Sequence, residues 1–146
     1  HLRRGVRFHH GRELTAEDVR FTFESLKTVG SAHAAVLEEI REIQVLDRQR
    51  VAFHLKRPFA PILYHLTIGI VPSDLARQEG FGQNPVGTGP FRFKRWVQNE
   101  WVEVEAIPDY FGGKNLSRPL CPYPLYAEYD GEGDPSSAES FTCVAN

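Results

Sequence analysis

"HLRRGVRFHHGRELTAEDV", residues 1–19, changes period part-way along, and that change decides how the first half of the chain is read. Up to His9 the period is two. Leu2, Val6 and Phe8 fall on one side and Arg3, Arg7 and His9 on the other, the pattern of a half-buried strand. His10-Gly11-Arg12 then reads as a turn. From Thr15 the period becomes helical. Thr15 is placed as an N-cap, and Glu17 and Asp18 lie in the first turn, where exposed N–H groups favour acids. Val19, Phe23 and Leu26 follow at helical spacing, predicting a helix from Ala16 to Lys27 that breaks near Gly30.

Working outward, "HAAVLEEI" predicts a second short helix leading into "REIQVLDRQRVAFHLKRP". There Ile43 and Val45 alternate with polar residues, and Val51, Phe53 and Leu55 do so again after Asp47-Arg48-Gln49. This is a hairpin stopped at Pro58, which cannot donate to a ladder. "APILYHLTI" and "PSDLARQEG" read as short helices, the second capped by Ser73 and closed by Gly80. "FRFKRWVQNEWVEVEAI" predicts a second hairpin, with Phe91, Phe93 and Trp96 facing Val102, Val104 and Ala106.

A length of 146 residues fits one domain of ordinary size, and 41% hydrophobic with 12% aromatic content is enough to bury a core. The net charge of −2 gives no field that would draw in nucleic acid or an anionic membrane. That average hides a gradient, because residues 1–58 hold eleven Lys/Arg against eight Asp/Glu, whereas residues 115–146 hold Arg118 against five acids. The chain opens mid-pattern on His1, so further sequence is expected upstream, and no signal peptide is legible. The apolar run "APILYHLTIGIVP" is too short to span a bilayer and is expected in the core.

The residues offer little self-contained chemistry. "NPVGTGPFRFKRW", residues 84–96, has the glycines of a phosphate loop, yet Pro90 follows Gly89 and a strand follows both, where a cradle needs N–H groups and a helix. Pro85, Gly87, Gly89 and Pro90 are therefore read as a structural corner whose glycines take conformations closed to other residues. His9 and His10 are neighbours pointing apart, while His33, His54 and His65 sit alone, so neither a metal nor a cofactor is expected. "DGEGDP", residues 130–135, alternates carboxylates as a calcium loop does, but Pro135 and Phe141 stand where a glycine and a bidentate acid belong. It is read as a solvated turn.

Ser31, Ser73 and Ser117 are turn or cap residues with no nucleophile elbow, and no catalytic residue is assigned. The basic sets Arg3, Arg4, Arg7, Arg12 and Arg92, Lys94, Arg95, the latter with Trp96 and Trp101, are read as solvated strand faces. Cys121 and Cys143 form an even pair in the acidic tail. A bridge is favoured over two buried free thiols, and closing that loop would contribute about 3 kcal/mol.

Taken in order, "LRRGVRFHHGRELTAEDVRFTFESL", "VAFHLKRPFAPILYHL", "IVPSDL", "NPVGTGPFRFKRW" and "AIPDYFGGK" resemble the extracellular solute-binding proteins of family 5, the oligopeptide, dipeptide and nickel-binding components of ABC importers. The resemblance covers residues 1–114. It implies a mixed α/β (α+β) partial lobe of the type II periplasmic-binding-protein fold, with β-hairpins and short helices. It also implies a periplasmic or extracellular location, a peptide-like ligand, a membrane permease as partner, and no catalysis. Family members are several times longer, so the ligand-binding residues stay unknown and the piece is expected not to bind by itself. Strand edges left bare by the absent half imply self-association.

Residues 117–144 of the loop-rich tail 115–146 resemble instead the carboxyl-terminal end of the tannase and feruloyl esterase family, in "RPLCPYPLYAEYDGEGD" and the "FTC" ending. That family would supply a Cys121–Cys143 disulfide, but its catalytic residues have no counterpart here. The two resemblances together imply a junction of unrelated fragments near Lys114. The alternative function they leave is the end of a serine esterase lacking its catalytic groups.

Overall fold

The computed structural model describes residues 1–28, 34–98, 100–113, 125–128 and 140–144. They belong to two compact units, His1–Gln78 and Glu79–Asn146. Helices and strands are mixed in the chain, as the α+β reading expects.

In the first unit, Thr15 precedes helix α1 (Ala16–Thr28), which carries Glu17 and Asp18 in its first turn and Lys27 in its last, the arrangement favoured by the helix dipole. A four-residue helix α2 (Ala34–Leu37) leads into strands β1 (Ile40–Asp47) and β2 (Arg50–Leu55), an antiparallel hairpin. Its register sets Val45 against Val51, Ile43 against Phe53 and Ile40 against Leu55. The turn is held by the Asp47 carboxylate, which accepts a hydrogen bond from the Gln49 N–H at 2.8 Å. A third short helix, α3 (Ile62–His65), follows.

Val19 and Phe23, one helical turn apart on α1, meet Leu37, Ile40, Ile43 and Ile62 in one buried cluster, flanked by Leu26, Val51, Phe53 and Leu55. The Phe23 ring stands edge-on to Phe53 at 5.1 Å, a favoured aromatic geometry.

Three expectations in this unit need correction. Residues 1–9 form no strand, only a single antiparallel bridge between Arg7 and Glu13. Gly5, at φ 75°, turns the chain, and the segment then bonds to its own return: Phe8 N–H donates to Arg12 O at 2.8 Å and Leu14 N–H to Val6 O at 2.9 Å. The burial alternation survives over those residues, with Val6 and Phe8 inside and Arg7 outside. Residues 72–80 are a succession of turns rather than a capped helix. Finally, "APILYHLTIGIVP" is core on one side only: Ile62 is buried, whereas Leu63 and Tyr64 are 69% and 77% exposed.

The second unit is one antiparallel sheet in the order β3-β4-β6-β5, from strands β3 (Phe91–Val97), β4 (Trp101–Ala106), β5 (Leu125–Glu128) and β6 (Ser140–Val144). Phe91 pairs with Ala106, Phe93 with Val104 and Trp96 with Val102, the facing predicted from sequence. A strict period of two would have sent Trp96 to the opposite face from Phe93. A bulge at Lys94 prevents this, because Lys94 and Arg95 together oppose Glu103, and both place their cationic groups on its carboxylate, at 2.6 and 3.6 Å. Phe91, Phe93 and Trp96 thus stay on one face with Val102, Val104 and Ala106, and the ion pairs lie on the other with Val97 and Trp101, where Arg92 also meets Glu105 at 2.6 Å.

Strand β6 pairs with β4 so that positions 141 and 143 oppose Val104 and Val102, while 140 and 142 oppose Glu105 and Glu103. Positions 141 and 143, and their partners 127 and 125 on β5, therefore carry apolar residue types in phase with Val104 and Val102.

Replacing Phe23 by Ala should cost about 3–5 kcal/mol in urea unfolding, since a buried ring is removed from the centre of the cluster. Leu63→Ala, on the exposed side of α3, should stay within about 0.5 kcal/mol in the same assay. Deleting Lys94 should close the bulge yet leave Trp96 opposite Val102, which a cross-strand proton contact in NMR spectra checks.

Candidate functional site

The tight turn at Gly11 (φ 94°) directs Arg12 toward the start of α1, and from there the strongest polar cluster among the described residues is built. Its centre is Asp18, a fully buried carboxylate in the first turn of the helix. Arg12 donates to both of its oxygens, to Oδ2 at 3.1 Å and to Oδ1 at 2.5 Å. Oδ2 also accepts the Thr15 N–H at 2.9 Å and the Thr15 hydroxyl at 3.0 Å. Oδ1 accepts the Ser73 N–H at 3.0 Å and the Ser73 hydroxyl at 2.7 Å. The N-cap predicted at Thr15 is thus half of a capping box, with Asp18 reaching back to the Thr15 N–H.

One turn along the same face, the Thr22 hydroxyl donates to Asp18 O at 2.8 Å and accepts the Val71 N–H at 3.1 Å. Residues 71–73 are therefore laced to α1 at two successive turns, across about fifty residues of sequence. Arg12 extends the cluster outward to Asp74 at 2.9 Å, and its guanidinium lies over the Phe8 ring at 5.2 Å. His10 stacks on the same ring at 5.7 Å and brings Nε2 to 3.5 Å from Asp74.

Burial pushes the Asp18 carboxyl up, but the hydrogen bonds from Arg12, Ser73 and Thr15 outweigh it and hold the group well below the usual carboxylate range. Asp74 shows the same contest, with desolvation raising it and Arg12 prevailing to lower it. Arg12 is raised in turn, chiefly by its hydrogen bond to Asp18.

Such a carboxylate is a poor base, because every strong acceptor direction is already occupied. Ser73 and a histidine are both close by, yet the serine hydroxyl donates to Asp18 while His10 approaches Asp74. Nothing in that order would take a proton from Ser73, so the cluster is a clamp rather than a nucleophilic site.

Sequence reasoning had Ser73 as a helix cap and Arg12 on a solvated basic stripe, and the structure corrects both. The stripe on β3 is likewise engaged: Arg92 with Glu105, Lys94 and Arg95 with Glu103, and Arg95 over the Trp101 ring at 4.5 Å.

At the glycine-rich segment, residues 85–90 form neither helix nor strand and run directly into β3. The Pro90 carbonyl accepts the Ile107 N–H at 2.8 Å, which closes the base of the β3–β4 hairpin. Gly89 lies outside the left-handed region, and a Cβ there would meet only Phe91 O at 4.0 Å, so the conformational argument for that glycine does not hold. Among the described residues, Gly5, Gly11, Gly80 and Gly113 take the left-handed conformation. Cys121, Ser117, Ser31, His33 and the 130–135 turn lie outside the described residues. Among the described residues no group of three His, Cys, Asp or Glu could hold a metal ion, and no helix is long and apolar enough to cross a membrane.

The family model described as bacterial extracellular solute-binding proteins, family 5 Middle, matches residues 1–118. The chain belongs to this family. The oligopeptide-binding protein AppA of Bacillus subtilis is 33% identical over 126 residues, which cover 77% of this chain and 23% of AppA. The crystal structure of NikZ from Campylobacter jejuni in complex with Ni(L-His) superposes with a TM-score of 0.71 at 32% identity, over 75% of this chain and 24% of NikZ. AgaA of A. tumefaciens, solved with agropinic acid, is like it in fold, with a TM-score of 0.74 at 23% identity over 98% of this chain and 26% of AgaA. The chain thus spans about a quarter of the length of the relatives it matches. Its fold is that of part of a periplasmic-binding-protein lobe, and its relatives are binding proteins of transport systems, not enzymes.

Asp18→Asn should destabilise the chain by about 3 kcal/mol in urea unfolding, because Arg12 loses its buried counter-charge and one carboxylate oxygen becomes a donor. Ser73→Ala, which removes one of three hydrogen bonds to Oδ1, should cost about 1 kcal/mol. Since the folded Asp18 is lowered, its contribution is complete above the unfolded value near pH 4 and lost as pH falls below it. Between about pH 4 and pH 2 the wild type should therefore lose stability more steeply than Asp18→Asn, read from urea midpoints against pH.

Proposed function

We propose that the chain is part of a peptide-type solute-binding component of an ABC importer, working outside the cytoplasmic membrane with a membrane permease as partner. The family match over residues 1–118 carries this reading, supported by relatives such as AppA, named as oligopeptide-binding, and by a Helicobacter pylori DppA structure that holds the peptide STSA. Its contribution is scaffold. Among the described residues the buried polar side chains, Asp18 and Thr22, are engaged in the clamp, and the charged side chains of the β3–β4 hairpin are engaged in cross-strand ion pairs at its surface. An enclosing cleft in such proteins needs two lobes, and this chain supplies a quarter of a relative's length.

The division at residues 114/115, with 1–114 as partial lobe and 115–146 as tail, belongs to the same proposal. So does the corner role of Pro85, Gly87, Gly89 and Pro90. The esterase alternative for residues 117–144 gains no support, since the relatives are binding proteins and β6 continues the sheet of β3 and β4. A foreign origin for the tail gains none either. The Cys121–Cys143 bridge of that reading also lacks support. Self-association through bare edges is disfavoured at β3, where the Lys94 bulge and Arg92 and Arg95 blunt the outer edge of the sheet.

Calorimetric titration of the 146-residue chain with dipeptides and oligopeptides should give no saturable heat at micromolar concentrations. Saturable binding in that range would show that this quarter holds a complete site. Hydrolysis of methyl ferulate or methyl gallate, abolished by a serine-directed inhibitor, would instead restore the esterase reading.

A further inference from the structure

We draw no further inference here: the strongest candidate, the apolar face of the four-stranded sheet bearing Phe91, Phe93, Trp96, Val102 and Val104, is partly exposed, and nothing in the structure shows what covers it.

Discussion

A buried carboxylate stabilises a fold only when its charge is answered on every side, and the first unit is arranged around one that is. Asp18 draws in a guanidinium, two hydroxyls and two backbone N–H groups. The consequences run through the rest of the unit. Fixing Thr15 starts the helix at Ala16, and that phase turns Val19 and Phe23 onto the hairpin instead of into water. Fixing Ser73 and Val71 brings a distant segment against the same helix, beside the hydrophobic cluster and not within it. Polar and apolar contacts thus occupy adjacent stripes of α1, with Asp18 and Thr22 on one and Val19 and Phe23 on the other.

Features that depend on near neighbours were legible in the sequence. Helix α1, both early hairpins and the cross-strand partners of Phe91, Phe93 and Trp96 follow from periods of 3.6 and 2, which need only ten or so residues of context. The Asp18 cluster was not legible, because its closing residue lies 55 positions away and a serine before an acid reads locally as a cap. The signal that could have found it is an acid at the third helical position, one residue before the buried Val19, where a solvent-facing polar residue would not be needed. The Lys94 bulge was hidden for a related reason. Two consecutive cations facing one glutamate look like ordinary alternation until register is known.

The tail shows how local likeness can mislead. A cysteine, proline and tyrosine pattern over fewer than thirty residues suggested a foreign enzyme fragment, whereas strand order and register depend on the whole sheet. Positions 140–143 pair in phase with β4, apolar types opposite Val102 and Val104 and polar types opposite Glu103 and Glu105. Matching phase across independent strands is a stronger constraint than a short motif, because one residue of slip would reverse every position. Family membership is established over residues 1–118, and the relatives are binding proteins, so the esterase reading of the tail has no support.

Asp18 remains ionised inside the fold because its donors outweigh its burial. Carbon-detected NMR titration of the Asp18 carboxyl in the intact chain reads this directly. The carboxyl signal should stay at its ionised position through pH 4, near which a free aspartate is half protonated. A carboxyl that takes up its proton at or above that value while the chain is still folded would contradict the account, since the clamp would then be too weak to hold Ser73 and Arg12 in place.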